Sequence, residues 1–203
     1  DYFQPFGRST SHQLWSSAMV ITPTLRGLFG IDIDSLNRTI SVEPNLPADW
    51  DTATVRHLRA GQSIFDLTYK RRGKSMEVRA EALSGPAIRL RSTRPENRVS
   101  ADGLSLTCIL PAVEVSFPHW LPQLGARTTQ LKVISQKEKT HSLHLQLEAQ
   151  AGSIHRLQLR RNIAVVMKPV GGEIELGSKG TATLVVRFDA GSGYKKQEVT
   201  LSW

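Results

Sequence analysis

Three side chains that suit sugar binding lie close together near the amino end of the chain, at His12, Gln13 and Trp15. Ser9–Ser11 precede them and offer oxygen atoms that can cap the N-terminus of a helix. A helix N-terminus presents free N–H donors, and an indole ring beside an imidazole and an amide is suited to a sugar. The alternative is that Trp15 packs in the core and His12 caps the helix. On the residue types alone, both interpretations stay open.

Other groups of polar residues indicate chemistry less strongly. His141, His144 and His155 could hold a metal, but an odd spacing places His141 and His144 on opposite faces of one strand. Paired carboxylates serve glycoside hydrolysis, and the close pairs are Asp32/Asp34 and Asp49/Asp51. Both pairs lie in turn-rich segments, where Asp is common for backbone reasons. We therefore predict surface histidines, structural carboxylates, no metal site and no catalytic residue in this chain.

Motifs for cofactors and covalent chemistry are missing from the sequence. There is no Gly-rich phosphate loop, His-Glu-x-x-His, Gly-x-Ser-x-Gly or Cys-x-x-Cys pattern. Cys108 is the only cysteine, so an intrachain disulfide and a thiolate metal site are excluded. Its apolar neighbours predict a small buried side chain. The sequence implies no cofactor and does not indicate a compartment.

The net charge of +8 raises the question of nucleic acid. Residues 126–203 hold 12 Lys and Arg against 6 Asp and Glu, spread over several strands and turns. The densest runs, Lys70–Lys74 and Arg160-Arg161, lack the interleaved aromatic residues that single-stranded nucleic acid requires. Lys70–Lys74 is expected to be a solvated hairpin turn. Nucleic-acid binding, through residues such as Lys132, Arg160 and Lys195, therefore ranks last, and no segment is long and apolar enough to span a membrane.

The stretch from Ser11 to Ile31 predicts a helix that differs from the rest of the chain. Between Leu14 and Phe29 the only charge is Arg26, so the helix is apolar nearly all round and is expected to be buried in a larger body. Pro23 should kink or split it, and Gly30 can take the left-handed position that ends it. Because no other helix is predicted, its expected neighbours lie in missing upstream sequence, which makes the chain a C-terminal piece of a longer protein.

From Thr52 onward the apolar residues recur with a period of two. Phe65, Leu67 and Tyr69 share one face, and a hairpin turn leads to a second alternating run. Strands between turns 8–12 residues apart are typical of sandwiches. We predict a mainly β fold, with antiparallel β-sandwich domains preceded by one buried α-helix. The expected boundaries give residues 1–30 as the last helix of a helical barrel, 31–122 as a β-sandwich and 123–203 as a second small one, with a single larger sandwich as the alternative.

Three segments carry a resemblance to a known family: His12–Met19, Leu25–Ile31 and Glu43–Trp50. Together they resemble the C-terminal part of bacterial six-hairpin glycoside hydrolases, which include glycogen-debranching-type amylo-α-1,6-glucosidases and α-L-rhamnosidases. In that clan the last inner helix of a helical barrel carries a motif like Gln-x-Trp-Ser, and a β-sandwich with a Pro-x-Leu-Pro segment follows. The resemblance covers about residues 9–90.

The resemblance implies a role for the N-terminal helix. In the family its N-terminal end faces the sugar pocket, so His12, Gln13 and Trp15 are candidate pocket-lining residues. The catalytic acid and base lie on upstream helices and loops, and Asp1 is the only carboxylate in residues 1–10. The expectation is an accessory β region that supports a catalytic barrel in a carbohydrate-active enzyme and is inactive alone. Its partners would be the missing barrel and carbohydrate, with self-association through the apolar helix.

A stand-alone carbohydrate-binding module is the alternative to this accessory role. It requires exposed aromatic rings on one surface, and the candidates are Tyr69, Trp120, Tyr194 and Trp203. Tyr69 is expected to face the core, because it alternates in step with Phe65 and Leu67. Binding of a glycan by the isolated chain would favour this alternative.

Overall fold

The structure, a computed structural model, describes residues 14–117, 129–162, 166–177 and 181–203, and for residues 14–17 only the backbone. The chain divides into two compact units, Asp1–Ile109 and Leu110–Trp203. The described residues are mainly antiparallel β-sheet with one short helical segment near the amino end, so the predicted fold class is confirmed.

The helical segment has two parts, and Pro23 separates them. The α-helix α1 spans Leu14–Thr22, and a π-helical turn follows over Pro23–Leu28. Proline lacks the N–H that would continue the α-helical ladder, which explains the change at this residue. The Phe29 N–H donates to Thr24 O at 3.0 Å, five residues back, and Gly30 takes a left-handed φ of +66°. The split at Pro23 and the stop at Gly30 are thus confirmed.

The first unit contains eight strands in its described residues. They are β1 (Ile31–Asp34), β2 (Thr39–Val42), β3 (Thr52–Ala60), β4 (Ser63–Arg72), β5 (Ser75–Ser84), β6 (Arg89–Arg91), β7 (Arg98–Val99) and β8 (Ser105–Ile109). One sheet has the order β1-β2-β6, in which β2 and β6 are parallel, and the other has the order β3-β4-β5-β8-β7.

Alternating side chains of the larger sheet form the core of the first unit. Phe65, Leu67 and Tyr69 on β4 are fully buried, and Met76 and Val78 on β5 are buried beside them. This is the face that the period of two predicts. Cys108 on β8 is also buried, as predicted, and burial raises the pKa of its thiol to about 12.

The second unit is a sandwich of two sheets. Its described strands are β9 (Val113–Ser116), β10 (Lys132–Lys139), β11 (Ser142–Gln150), β12 (Ile154–Arg161), β13 (Lys168–Val170), β14 (Glu173–Leu176), β15 (Ala182–Arg187) and β16 (Tyr194–Ser202). The sheet orders are β10-β11-β16-β13 and β14-β15-β12-β9. Buried residues of both sheets, among them Leu145, Leu157, Leu184 and Val199, form one cluster.

Two local expectations are wrong. Asp32 and Asp34 were expected to lie in a turn-rich segment, yet Ile31–Asp34 forms strand β1, which pairs with β2 through Ile33 and Ile40, and the turn begins after Asp34. Lys70–Lys74 turns at Gly73 as predicted, but Arg71 is buried rather than solvated. The two differences have the same cause: β1 forms by pairing with β2, and Arg71 is held by Ala48 and Asp51, and a local pattern reveals neither partner.

The expected domain boundary after residue 122 falls in the segment 118–128, which lies outside the described residues. Strand β9 lies before that boundary in the sequence, and it pairs with β12 of the second unit. In the part of the chain that the structure describes, no helix has the length and apolar character that crossing a membrane requires.

Candidate functional site

Two of the three predicted pocket residues, His12 and Gln13, lie outside the described residues. For Trp15 the structure describes the backbone, which belongs to α1, and not the side chain. Their contact with a sugar therefore stays a prediction. The structure does describe the surface of the same helix toward its C-terminal end.

That surface of α1 is apolar and exposed. Met19, Val20 and Ile21 are 65%, 68% and 56% exposed. The helix itself is confirmed; residues 18–22 are exposed within this chain, so their burial in a larger body stays a prediction. The first unit closes its core with its own strand residues, and no residue of Pro23–Leu28 is buried either. Nothing in the described parts of the chain covers these three side chains.

The end of the helical segment, in contrast, is fastened to the first unit. The Tyr69 hydroxyl donates to Phe29 O at 3.1 Å, and the two rings lie 5.4 Å apart. The Glu43 N–H donates to Gly30 O at 2.9 Å. A Cβ atom on Gly30 would overlap the Glu43 carbonyl, so this close approach of two backbones requires glycine.

Asn45 provides the most direct attachment. Its backbone N–H donates to Leu28 O at 2.9 Å, and its side-chain amide donates to Gly27 O at 3.1 Å. These carbonyls lie at the C-terminal end of the helical segment, where helices leave acceptors unsatisfied. The turn Glu43–Trp50, part of the family-like sequence, therefore caps the helical segment from a distance.

Arg71 holds that turn in place, and the sequence pattern did not indicate it. Its side chain is 3% exposed, and its Nε lies 3.6 Å from Asp51 Oδ1. Its Nη2 donates to Ala48 O at 3.5 Å, and its backbone N–H donates to Asp51 O at 2.8 Å. The helical end, the turn and strand β4 are thus linked through Asn45 and Arg71. A buried arginine among exposed cations has no local sequence signal.

The predicted carboxylate pairs have structural partners. Asp34 accepts hydrogen bonds from the Asn37 backbone and side-chain amides at 3.1 and 2.7 Å, and these bonds lower the pKa of its carboxyl group. Asp32 lies 3.3 Å from Arg26 in an exposed ion pair. Asp51 is paired with Arg71. The structure shows these carboxylates organising turns and contacts rather than facing each other across a cleft.

The three histidines do not come together. His144 on β11 lies between the hydroxyls of Ser142 and Thr200, whereas His155 on β12 contacts Ser153 and the ring of Phe188. Burial lowers the pKa of His155. Among the described residues no three His, Cys, Asp or Glu side chains are grouped to hold a metal ion.

The aromatic candidates for neutral-sugar binding are scattered. Tyr69 is buried, as expected, and Trp203 packs against the core of the second unit. Trp120 lies outside the described residues. Tyr194 is exposed, but the Lys132 ammonium lies 4.4 Å from its ring centroid and occupies one face. The described members of this set therefore do not form a shared aromatic platform for a sugar.

Comparison of the chain with protein-family models, with curated proteins and with solved structures finds no match.

Proposed function

We propose that this chain is the C-terminal accessory β region of a carbohydrate-active glycoside hydrolase and that it supports the catalytic barrel without being catalytic itself. The observation that carries the proposal is the apolar surface of α1, which is exposed although the end of the same helical segment is firmly attached. The resemblance of residues 12–19, 25–31 and 43–50 to six-hairpin glycoside hydrolases supports the identity of the missing partner.

The helix needs a partner for energetic reasons. Isolated helices shorter than about 12 residues are marginal in water, and most helical stability in proteins comes from packing an apolar face. α1 has nine residues. Covering Met19, Val20 and Ile21 would contribute about 1–2 kcal/mol for each side chain, given that each is partly covered already. Neighbouring helices of a barrel would supply that cover.

The attached end of the helical segment would connect a packed barrel to the first unit. Asn45 and Tyr69 hold the last carbonyls of the helical segment, and Arg71 holds the turn that carries Asn45. A barrel that packs on α1 would thereby be connected to the first unit through a rigid joint rather than a loose linker. The first unit would then stabilise the last helix of the barrel, and with it the pocket residues proposed at His12, Gln13 and Trp15.

The proposal is tested on the protein as its native host makes it. We expect its mass to exceed that of the 203-residue chain and its sequence to contain helical hairpins before residue 1. We also expect the whole protein to hydrolyse a glycoside, while the isolated chain does not. A native protein that starts near Asp1, or hydrolysis by the isolated chain, would contradict the proposal.

Substitutions in the whole protein test whether α1 packs on a barrel. Met19→Asp with Ile21→Asp should lower the melting temperature of the barrel, because two charges would replace side chains that we expect to be buried there. Leu36→Asp is the matched control, since Leu36 is 96% exposed on a turn of the same unit. Equal melting temperatures for the two variants would mean that α1 does not pack on a barrel.

A further inference from the structure

The outer face of the second unit contains a polar depression that the accessory role does not use. It has a volume of about 340 Å³ and lies over β10, β11 and β16. Its polar lining comes from Ser135, Lys137, Lys139, His144, Gln146, Glu198 and Thr200, and we call it the His144 groove. The buried side of the same strands carries Leu143, Leu145 and Leu147, so the alternation of the strands directs the polar residues to this face.

At the centre of the groove the imidazole of His144 is held by two hydroxyl groups. Its Nε2 lies 2.9 Å from Ser142 Oγ, and its Nδ1 lies 3.1 Å from Thr200 Oγ1. A ring N–H that donates to a hydroxyl oxygen leaves the hydroxyl proton free to donate outward. In either tautomer one of the two hydroxyls is therefore available as a donor to a ligand oxygen.

Lysines surround this centre in register. Lys137 pairs with His144 and Lys139 with Ser142 on one side, and Lys168 pairs with Ser202 on the far side. Because neighbouring strands lie about 4.8 Å apart, Lys139 and Lys168 lie about 14 Å apart across three strand spacings. None of these three ammonium groups forms an ion pair with a carboxylate among the described residues, whereas Lys132 is engaged with Glu148 at 3.2 Å.

The charges on this face favour an anion. Around the groove, Lys137, Lys139 and Lys168 contribute three positive charges, and Glu198, which pairs with Gln146, contributes one negative charge; farther along the same face, Glu148 lies between Lys132 and Lys196. Unpaired ammonium groups on one surface concentrate anionic ligands near it, and the effect weakens with salt. The groove is bordered by the edge strand β10, whose register shifts between Val133 and Ser135, and such irregular edges are common beside binding sites.

The remaining side chains define the kind of anion. The Ser142 and Thr200 hydroxyls, which His144 orients, and the Gln146 amide can hydrogen-bond the hydroxyl groups of a sugar, while the ammonium groups match carboxylates or sulfates. The groove lining contains no Phe, Tyr or Trp ring on which a nucleic-acid base could stack, and both nitrogens of its one imidazole are bonded to hydroxyls. We propose that the His144 groove binds a polysaccharide that carries carboxylate or sulfate groups. This proposal does not rest on the packing of α1 against a barrel.

Titration calorimetry of the full chain with polygalacturonate, dextran sulfate and uncharged dextran tests the proposal. We expect binding to at least one of the two charged polymers, with the affinity falling as salt is added, and none to dextran. Which charged polymer binds more tightly distinguishes carboxylate from sulfate recognition. Binding to neither charged polymer at low salt would overturn the proposal.

Two variants locate the site. Lys137→Gln/Lys139→Gln/Lys168→Gln should weaken binding about tenfold or more at low salt and flatten its salt dependence. The control, Lys70→Gln/Lys74→Gln/Lys195→Gln, removes the same charge from exposed positions outside the groove and should change the affinity less than about twofold. All six lysines are exposed, and circular dichroism would verify the fold. Equal losses in the two variants would overturn the assignment to the groove.

His144→Ala separates recognition of a sugar from simple charge attraction. It should weaken binding while leaving the salt dependence unchanged, because it removes the hydrogen-bonding centre and none of the lysines. A single-stranded oligonucleotide is the competing ligand. If it bound as tightly and with the same dependence on the three lysines, the groove would be a nucleic-acid site and the proposal would fail.

Discussion

The two ends of the described N-terminal helical segment are held very differently. At Gly27–Gly30 the backbone is bound by Asn45, Glu43 and Tyr69, while Met19–Ile21 present apolar side chains to solvent. A helix attached at one end and uncovered along its body is oriented for a partner that the described residues do not supply. The first unit therefore makes its specific contacts with Gly27–Gly30, which we call the joint, and not with the side chains of Met19–Ile21.

The largest effect should come from a change inside the joint. We expect Gly30→Ala to lower the free energy of unfolding by about 3 kcal/mol, because φ is positive there and the new Cβ would overlap the Glu43 carbonyl. Urea unfolding followed by circular dichroism measures this change. Gly27→Ala is the control, since nothing lies within 4 Å of its added Cβ. A similar loss in both variants would show that the close approach of Gly30 to Glu43 is not what makes Gly30→Ala destabilising.

Removal of the buried arginine should have the next largest effect. Arg71→Ala leaves Ala48 O without the guanidinium and opens space in the core, so we expect a loss of about 2 kcal/mol in urea unfolding. Arg72→Ala, at the exposed neighbour, should cost less than about 0.5 kcal/mol. If the two losses were equal, Arg71 would not hold the turn that carries Asn45.

The joint should also respond to acid through Glu43. Burial alone would raise the pKa of its carboxyl group, but hydrogen bonds from Ser92 and Thr93 outweigh burial and place the pKa below the ordinary value of 4.5. Because the folded pKa is the lower one, this stabilisation is present above the ordinary value and is lost as the pH falls through the folded pKa.

We therefore expect Glu43→Gln to lose about 1 kcal/mol at neutral pH, because a neutral amide replaces a carboxylate that accepts hydrogen bonds from Ser92 and Thr93, and to show a weaker loss of stability on acidification than the parent chain. Urea unfolding at neutral pH and below the ordinary carboxyl pKa measures both quantities. The control is Glu96→Gln, at an exposed position shortly after Ser92 and Thr93, the two residues that bind Glu43. An unchanged acid response in Glu43→Gln would exclude this carboxylate as the acid-sensitive group.

The sequence predicted most of the regular fold because its signals are local. The alternation of Phe65, Leu67 and Tyr69 placed β4 with its buried face, and Pro23 and Gly30 marked the divisions of the helical segment. The contacts of Arg71 and Asn45 were not predictable, since their partners lie 20 and 18 residues away and carry no periodic pattern. The alternating Ile and Asp residues of β1 likewise indicate a turn when taken alone, because the pairing with β2 that makes them a strand is not visible in their own pattern.

The candidate site was harder to predict from sequence than the fold. The sequence offers His144 only as a metal candidate with an unfavourable spacing to His141, because its hydroxyl partner Thr200 lies on another strand, 56 residues away. Lys137 and Lys139 line the groove from β10 and Lys168 lies beyond it on β13, and the register rather than the order of the chain brings these lysines to one face. Basic residues spread over several strands therefore read as diffuse charge until the sheet is known.

The smallest effect on folding should come from the exposed body of the helix. Met19→Asp/Ile21→Asp should change the free energy of unfolding of the isolated chain by less than about 0.5 kcal/mol, because no core residue is removed. The same variant should abolish self-association in light scattering, since an uncovered apolar surface is expected to find a second copy when no barrel is present. Leu36→Asp, which adds charge at a separate exposed position, should leave self-association intact. Two outcomes would contradict this prediction: a parent chain that stays monomeric at high concentration, and a double variant that unfolds as easily as Gly30→Ala. Either outcome would mean that Met19–Ile21 already have a partner within the chain. The contrast between the two parts of the helical segment would then disappear.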